Sequence, residues 1–147
     1  MDWQCELEEV VVGKGRKLKE GKDIAVLSLG PIGVEAGKAI AIAELSSLNA
    51  NPDAPLNIAH YDMRFLKPID EEILHEVGRN FKKVVIVEDG VITGGLGSAV
   101  LEFFADHGYD LEVKRIGIPD QFVMHGTVAE LQRICGMDAQ SIAKVLV

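Results

Sequence analysis

The chain of 147 residues is long enough for one ordinary domain with a single buried core, and too short for a multidomain machine. Hydrophobic residues make up 48% and charged residues 26%, and no apolar run approaches the ~20 residues a membrane helix needs. Fifteen Lys plus Arg against 23 Asp plus Glu leave a formal charge of −8, which opposes the field of a phosphate backbone, so neither a membrane nor a nucleic acid is an expected partner.

The N-terminal Met1-Asp2-Trp3-Gln4-Cys5-Glu6 has no basic start leading into an apolar stretch, so a cytoplasmic location is expected. The two cysteines, Cys5 and Cys135, are too few for a disulfide framework and too far apart for metal-ligand spacing.

Val10-Val11-Val12 reads as a short strand running into a basic, glycine-punctuated turn from Gly13 to Gly21, an entry arm at a sheet edge. Residues 1–22 are read as this arm, and 23–147 as the domain proper. Ile24 to Leu29 is a compact apolar run, the pattern of a strand covered on both faces. From Ile32 to about Leu48, Ala36, Ala39, Ile40 and Ala43 recur at helical spacing. Leu56 to Asp62 supplies a second core strand. Asp70 is placed to cap a helix with Glu71 and Glu72 in its first turn, where the helix dipole favours acids.

Lys83 to Glu88 is the third strand, followed by glycines at 90, 94, 95 and 97, and a helix is expected to open at Ser98. Leu111 to Ile116 is the fourth. Thr127 and Glu130 have the spacing of a capping box, and Asp138 caps a last helix. Strands alternating with helices, joined by connections too long for hairpins, imply a mostly parallel sheet with helices on both faces, a three-layer α/β/α fold.

Few residues suggest chemistry by themselves. Gly94-Gly95-Leu96-Gly97-Ser98 stands between a strand and a helix, where backbone N–H groups can hold an anion. As a dinucleotide motif it is poor, because Val100 replaces the third glycine and the next strand carries Lys114 and Arg115 where a ribose needs an acid. The histidines at 60, 75, 107 and 125 have no ligand spacing. His125 lies in a turn just ahead of the Thr127 cap. Arg64 and Lys67 follow the second strand, at the edge where open α/β sheets place ligands, and are read as phosphate-binding cations or as salt-bridge partners. Glu88 and Asp89 are adjacent in an extended chain, point to opposite faces and form no acid–base pair.

Three segments together resemble a known family. DMRFLKPID at 62–70, VIVEDGVITGGLGSAV at 85–100 and IGIPDQFVMHGT at 116–127 are similar, in order and spacing, to the C-terminal domain of the transketolase group, in its 1-deoxy-D-xylulose-5-phosphate synthase branch. The likeness runs from about Gly13 to the end.

It implies a mixed five-stranded sheet with one antiparallel edge strand. It further implies a thiamine-diphosphate and magnesium transferase that condenses pyruvate with glyceraldehyde 3-phosphate for isoprenoid precursors. On this reading the chain is the last domain of a homodimeric enzyme, inactive alone, with no catalytic, cofactor or metal residue of its own. Arg64, Phe65, Lys67, Gly94, Gly95, Gly97 and His125 are then candidates for contact with the two preceding domains or the partner subunit. An exposed patch of Phe65, Leu66, Ile92 and Leu96 is expected at that edge.

The Asn49–Pro55 loop is longer than the family usually has, and the abrupt start suggests an excised domain. The alternative is a free-standing C-terminal subunit of a split transketolase-type enzyme. A third class, an autonomous nucleotide binder, rests on the glycine loop alone.

Overall fold

The computed structural model describes residues 9–147. Its elements in chain order are β1 (Arg16–Lys19), β2 (Ile24–Leu29), α1 (Gly33–Ala50), β3 (Ile58–Asp62), α2 (Glu71–Asn80), β4 (Lys83–Val91), α3 (Leu96–Asp106), β5 (Glu112–Ile118), α4 (Val128–Ile134) and α5 (Ala139–Leu146). The strands form one sheet in the order β1-β3-β2-β4-β5. β1 runs antiparallel to β3 and the other pairings are parallel, as expected of an α/β sheet with one reversed edge strand.

The alternation of side chains along a strand sorts the core into two halves. Val26, Val85 and Val87 face α1 and α5, meeting Ala36, Ile40 and Ile142. Ala25, Leu27, Val84 and Ile86 face α2 and α3, meeting Leu74, Val77, Val100 and Phe104. β2 is covered on both sides, which is why its sequence lacks an apolar-polar alternation. Alanines on α1 bring that helix close to the sheet.

The caps read from the sequence are in place. Asp70 accepts from the amides of Glu72 and Ile73 and also from Gly15 at 2.9 Å, so one buried carboxylate starts α2 and pins the arm. Thr127 and Glu130 close a reciprocal capping box, and Asp138 accepts from Gln140 and Ser141.

Two expectations need correction. Val10-Val11-Val12 is not a strand, and all three side chains are exposed. The arm's strand is Arg16–Lys19, inside the stretch read as a basic turn. An edge strand bonds on one side only and tolerates charge, and Lys17 is held by the carboxylate of Glu76, which also accepts from the Tyr61 hydroxyl at 2.9 Å. The Lys17 ammonium beside Glu76 holds that carboxyl below the usual carboxylate range.

Second, the third helix opens at Leu96, two residues before Ser98, and its N-cap Gly95 offers no side chain to bond. The cap comes from elsewhere in the chain, as described next. Cys5 lies outside the described residues.

Candidate functional site

In an open parallel sheet the place for a ligand is the crevice at the carboxyl ends of neighbouring strands whose connections leave in opposite directions. Here those strands are β2 and β4, because β2 leads to β3 on one side and β4 leads to β5 on the other. A cleft of about 470 Å³ lies there, between Gly30-Pro31 and the 88–95 segment. A second, of about 670 Å³, continues over the ends of β2 and β3.

At the edge of the first cleft the glycine-rich start of α3 has the expected anion-binding geometry, and a carboxylate of the protein itself occupies it. The Glu88 carboxylate accepts from Leu96 N at 2.7 Å and Gly97 N at 3.0 Å, and the residue is buried. Two backbone donors at the positive end of α3 are thereby satisfied by an internal acid. Glycine is required opposite it, since a Cβ on Gly95 would stand 1.9 Å from Glu88 Oε2. Arg115 of β5 straps the loop by donating to the Ile92 carbonyl at 3.0 Å and to Ser98 Oγ at 3.3 Å. The nucleotide reading of the glycine loop therefore loses its basis, because the amides it needs are already occupied. Glu88 is buried and engaged by the α3 amides while Asp89 is exposed, so the two acids do not work as a pair.

The second cleft gathers residues the sequence had not joined. Arg64 has φ +56, its amide donates to Asp62 Oδ1 at 3.2 Å, and its side chain lines this cleft. Lys67 is exposed and lines neither cleft. The second cation is instead Arg16 of β1, whose Nε donates to Asp62 Oδ2 at 3.1 Å. Below them lie buried Ser28 and His60, with Oγ and Nε2 2.9 Å apart. Burial pushes the His60 imidazole below its ordinary value, against the opposing pull of Asp62. The signals available in the sequence were the lone polar residues in apolar strands, Ser28 and His60, and an acid closing the apolar run of β4 ahead of an uncapped helix.

The expected apolar patch is only partly formed. Leu66 is exposed and Phe65 and Ile92 are half-buried, but Leu96 is fully buried, because the first turn of α3 lies against the sheet. Gly94 is exposed, Gly95 is half-buried and Gly97 is buried beneath Glu88 and Arg115. His125 is exposed too, in a different segment that carries several exposed apolar side chains. There Phe122 is fully exposed, and Met124, Val128 and Ile134 are 76%, 72% and 68% exposed. α4 buries no residue at all. Among the described residues no three His, Cys, Asp or Glu side chains converge in a way that fits a metal ion, and no helix is long and apolar enough to cross a membrane.

Residues 13–142 match the family model of the transketolase C-terminal domain. The chain belongs to that family. It is 64% identical over 99% of its length to a 1-deoxy-D-xylulose-5-phosphate synthase of Bacteroides thetaiotaomicron and 60% identical over its whole length to one of Phocaeicola vulgatus. This transketolase C-terminal domain spans 22% of each of those relatives. Among solved structures, a split gene transketolase described as an inactive beta4 tetramer superposes with a TM-score of 0.79 at 32% identity, over 95% of this chain and 43% of that one.

Proposed function

We propose that this transketolase C-terminal domain is the last domain of a 1-deoxy-D-xylulose-5-phosphate synthase and has a packing role in that enzyme. The carrying observation is the identity of 64% to a relative of that name, running over nearly the whole chain but only 22% of the relative. The complete enzyme would join pyruvate and glyceraldehyde 3-phosphate with thiamine diphosphate and magnesium, as a cytoplasmic homodimer. The described residues do not fit that cofactor's metal bridge, because Glu88 is spent on α3 and no group of oxygen ligands converges among them as magnesium requires. No reaction step is therefore assigned to this chain, and we expect it to be inactive by itself.

Its role is to pack against the preceding domains and the second subunit. The surface best suited to this is the apolar run of Phe122, Met124, Val128 and Ile134 with His125 among them, since a domain standing alone exposes what its neighbours cover. Leu66, Lys67 and Gly94 extend the contact region along the strand ends. The split-subunit alternative is less favoured, because the related split gene transketolase shares 32% identity against 64% for the undivided synthase.

A chimera tests the reading. Replacing the C-terminal portion of the Bacteroides thetaiotaomicron enzyme with this chain should give an active synthase, while the chain alone should form no deoxyxylulose phosphate. A folded but inactive chimera, or turnover by the chain alone, would refute it.

A further inference from the structure

We propose that residues 1–8 fold back over the cleft above β2 and β3 and dock in it, with Trp3 and Leu7 as the buried anchors. The first support is the cleft itself. Leu18 of β1, Val34 of α1 and Phe65 of the loop after β3 line it, and its volume is about 670 Å³. Leu18 and Val34 are 47% and 52% exposed, so among the described residues both walls are open to water. Gly37 leaves a recess between them, because a Cβ added there would meet nothing within 4 Å. An aromatic side chain, which buries about 150–250 Å² on docking, suits an apolar recess of this kind.

The second support is the point at which the chain enters. Val10, the second of the described residues, already lines this cleft. An extended chain advances at most about 3.6 Å per residue, so Leu7 can stand no farther than about 11 Å from Val10, and Trp3 no farther than about 25 Å. A tether this short holds the segment over the cleft at an effective concentration of roughly millimolar, which a second copy of the chain does not match at ordinary dilution.

The third support is the pattern of the segment. Met1, Trp3, Cys5 and Leu7 alternate strictly with Asp2, Gln4, Glu6 and Glu8, which in an extended chain sets an apolar face against an acidic one. An apolar face on so short a run is of use only where it meets apolar surface, and Leu18 and Val34 offer that surface beside the entry point. The acids match the rim in charge: residues 1–9 contain no Lys or Arg, whereas Arg16 and Arg64 at the cleft have the one carboxylate of Asp62 between them. Burial of the apolar face holds the segment, and the rim sets which way it lies.

Trp3 is the one tryptophan of the chain, so its fluorescence reports on the segment directly. In the intact chain its emission should lie to the blue of that of the urea-unfolded protein, and acrylamide should quench it severalfold less. Val34→Glu and Gly37→Glu each place in the cleft a charge of the same sign as the segment, at positions where α1 accepts it, since an acid suits the first turn and Glu is a better helix former than Gly. Both variants should keep the parent circular dichroism while Trp3 emission moves to that of the unfolded chain and quenching rises severalfold. Phe122→Ser, in the segment after β5 at the opposite edge of the sheet, should leave Trp3 unchanged. As a second measurement, deletion of residues 1–8 should shift the amide resonances of residues 16–18, 30–37 and 64–65. Unfolded-like emission from the parent, unaltered emission in V34E and G37E, a response to F122S, amide shifts centred on residues 122–134, or a blue shift that disappears on dilution, the mark of docking between copies, would each overturn the proposal.

Discussion

Glu88 offers the sharpest test of how the glycine loop is built. The carboxylate accepts two backbone N–H bonds, at 2.7 and 3.0 Å, in a buried position at the start of α3. Each hydrogen bond to a charged acceptor contributes about 1.5–3 kcal/mol net, and the helix dipole favours the charge further. Glu88→Gln keeps the volume but replaces one oxygen with an NH₂ that confronts a backbone N–H, so one bond is lost and one donor is left facing another. The expected loss is about 2–3 kcal/mol; Glu88→Ala, which strands both amides, should cost about 3–5 kcal/mol. Against a whole-domain stability of about 5–15 kcal/mol these are large. At about 2–4 °C per kcal/mol for a chain of this size, E88Q should melt about 5–10 °C below the parent protein.

Urea and thermal unfolding give the values, and hydrogen exchange at Leu96 and Gly97 locates them. Asp89→Asn, one residue away but exposed, should change stability by no more than about 0.5 kcal/mol. An E88Q protein as stable as the parent, or a D89N protein as damaged as E88Q, would refute the assignment of Glu88 as the internal cap.

Three further outcomes are expected. A Cβ on Gly21 would lie 2.1 Å from Ala59 N and 2.3 Å from Ile58 C, in the backbone of β3, so Gly21→Ala should cost about 4 kcal/mol or more and yield little folded protein on expression. His60 is held neutral by burial, so protonation favours the unfolded chain; stability should be flat above the ordinary imidazole value of about 6.5 and fall as pH drops below it, a slope that His60→Gln should flatten in urea midpoints taken between about pH 5 and 8. Thr127→Ala should weaken α4 by about 1 kcal/mol, but because no residue of that helix is fully buried, the loss should appear as faster exchange of its own amides rather than as a lower melting temperature.

The architecture was legible wherever a local rule had a local cause. Asp70, Thr127 with Glu130, and Asp138 all announce helix starts because a capping side chain lies within a few residues of the amides it satisfies. The core strands were visible because burial on both faces demands continuous apolar runs. β1 was not, since an edge strand of Arg-Lys-Leu-Lys follows neither a buried nor an alternating pattern, and the valines nearby drew the assignment instead. The site was harder for a different reason. Arg16 reaches Arg64 only because β1 pairs with β3, a contact across 46 residues of sequence, and Glu88 finds the start of α3 only once the loop folds back. Lys67 is near Arg64 in sequence, but nearness in sequence has no bearing on which cation shares the cleft.

The pairing of β1 with β3 also bears on the order of events during synthesis. β1 is the first of the strands to emerge from the ribosome, yet Arg16 meets Asp62 only after 46 more residues have been added, which at about 5–20 residues per second is a wait of several seconds. An apolar strand left idle that long would be a nucleus for association with other nascent chains. Arg16, Lys17 and Lys19 keep this one hydrated until its partner arrives, and the same three cations are then taken up by Asp62, Glu76 and Glu44.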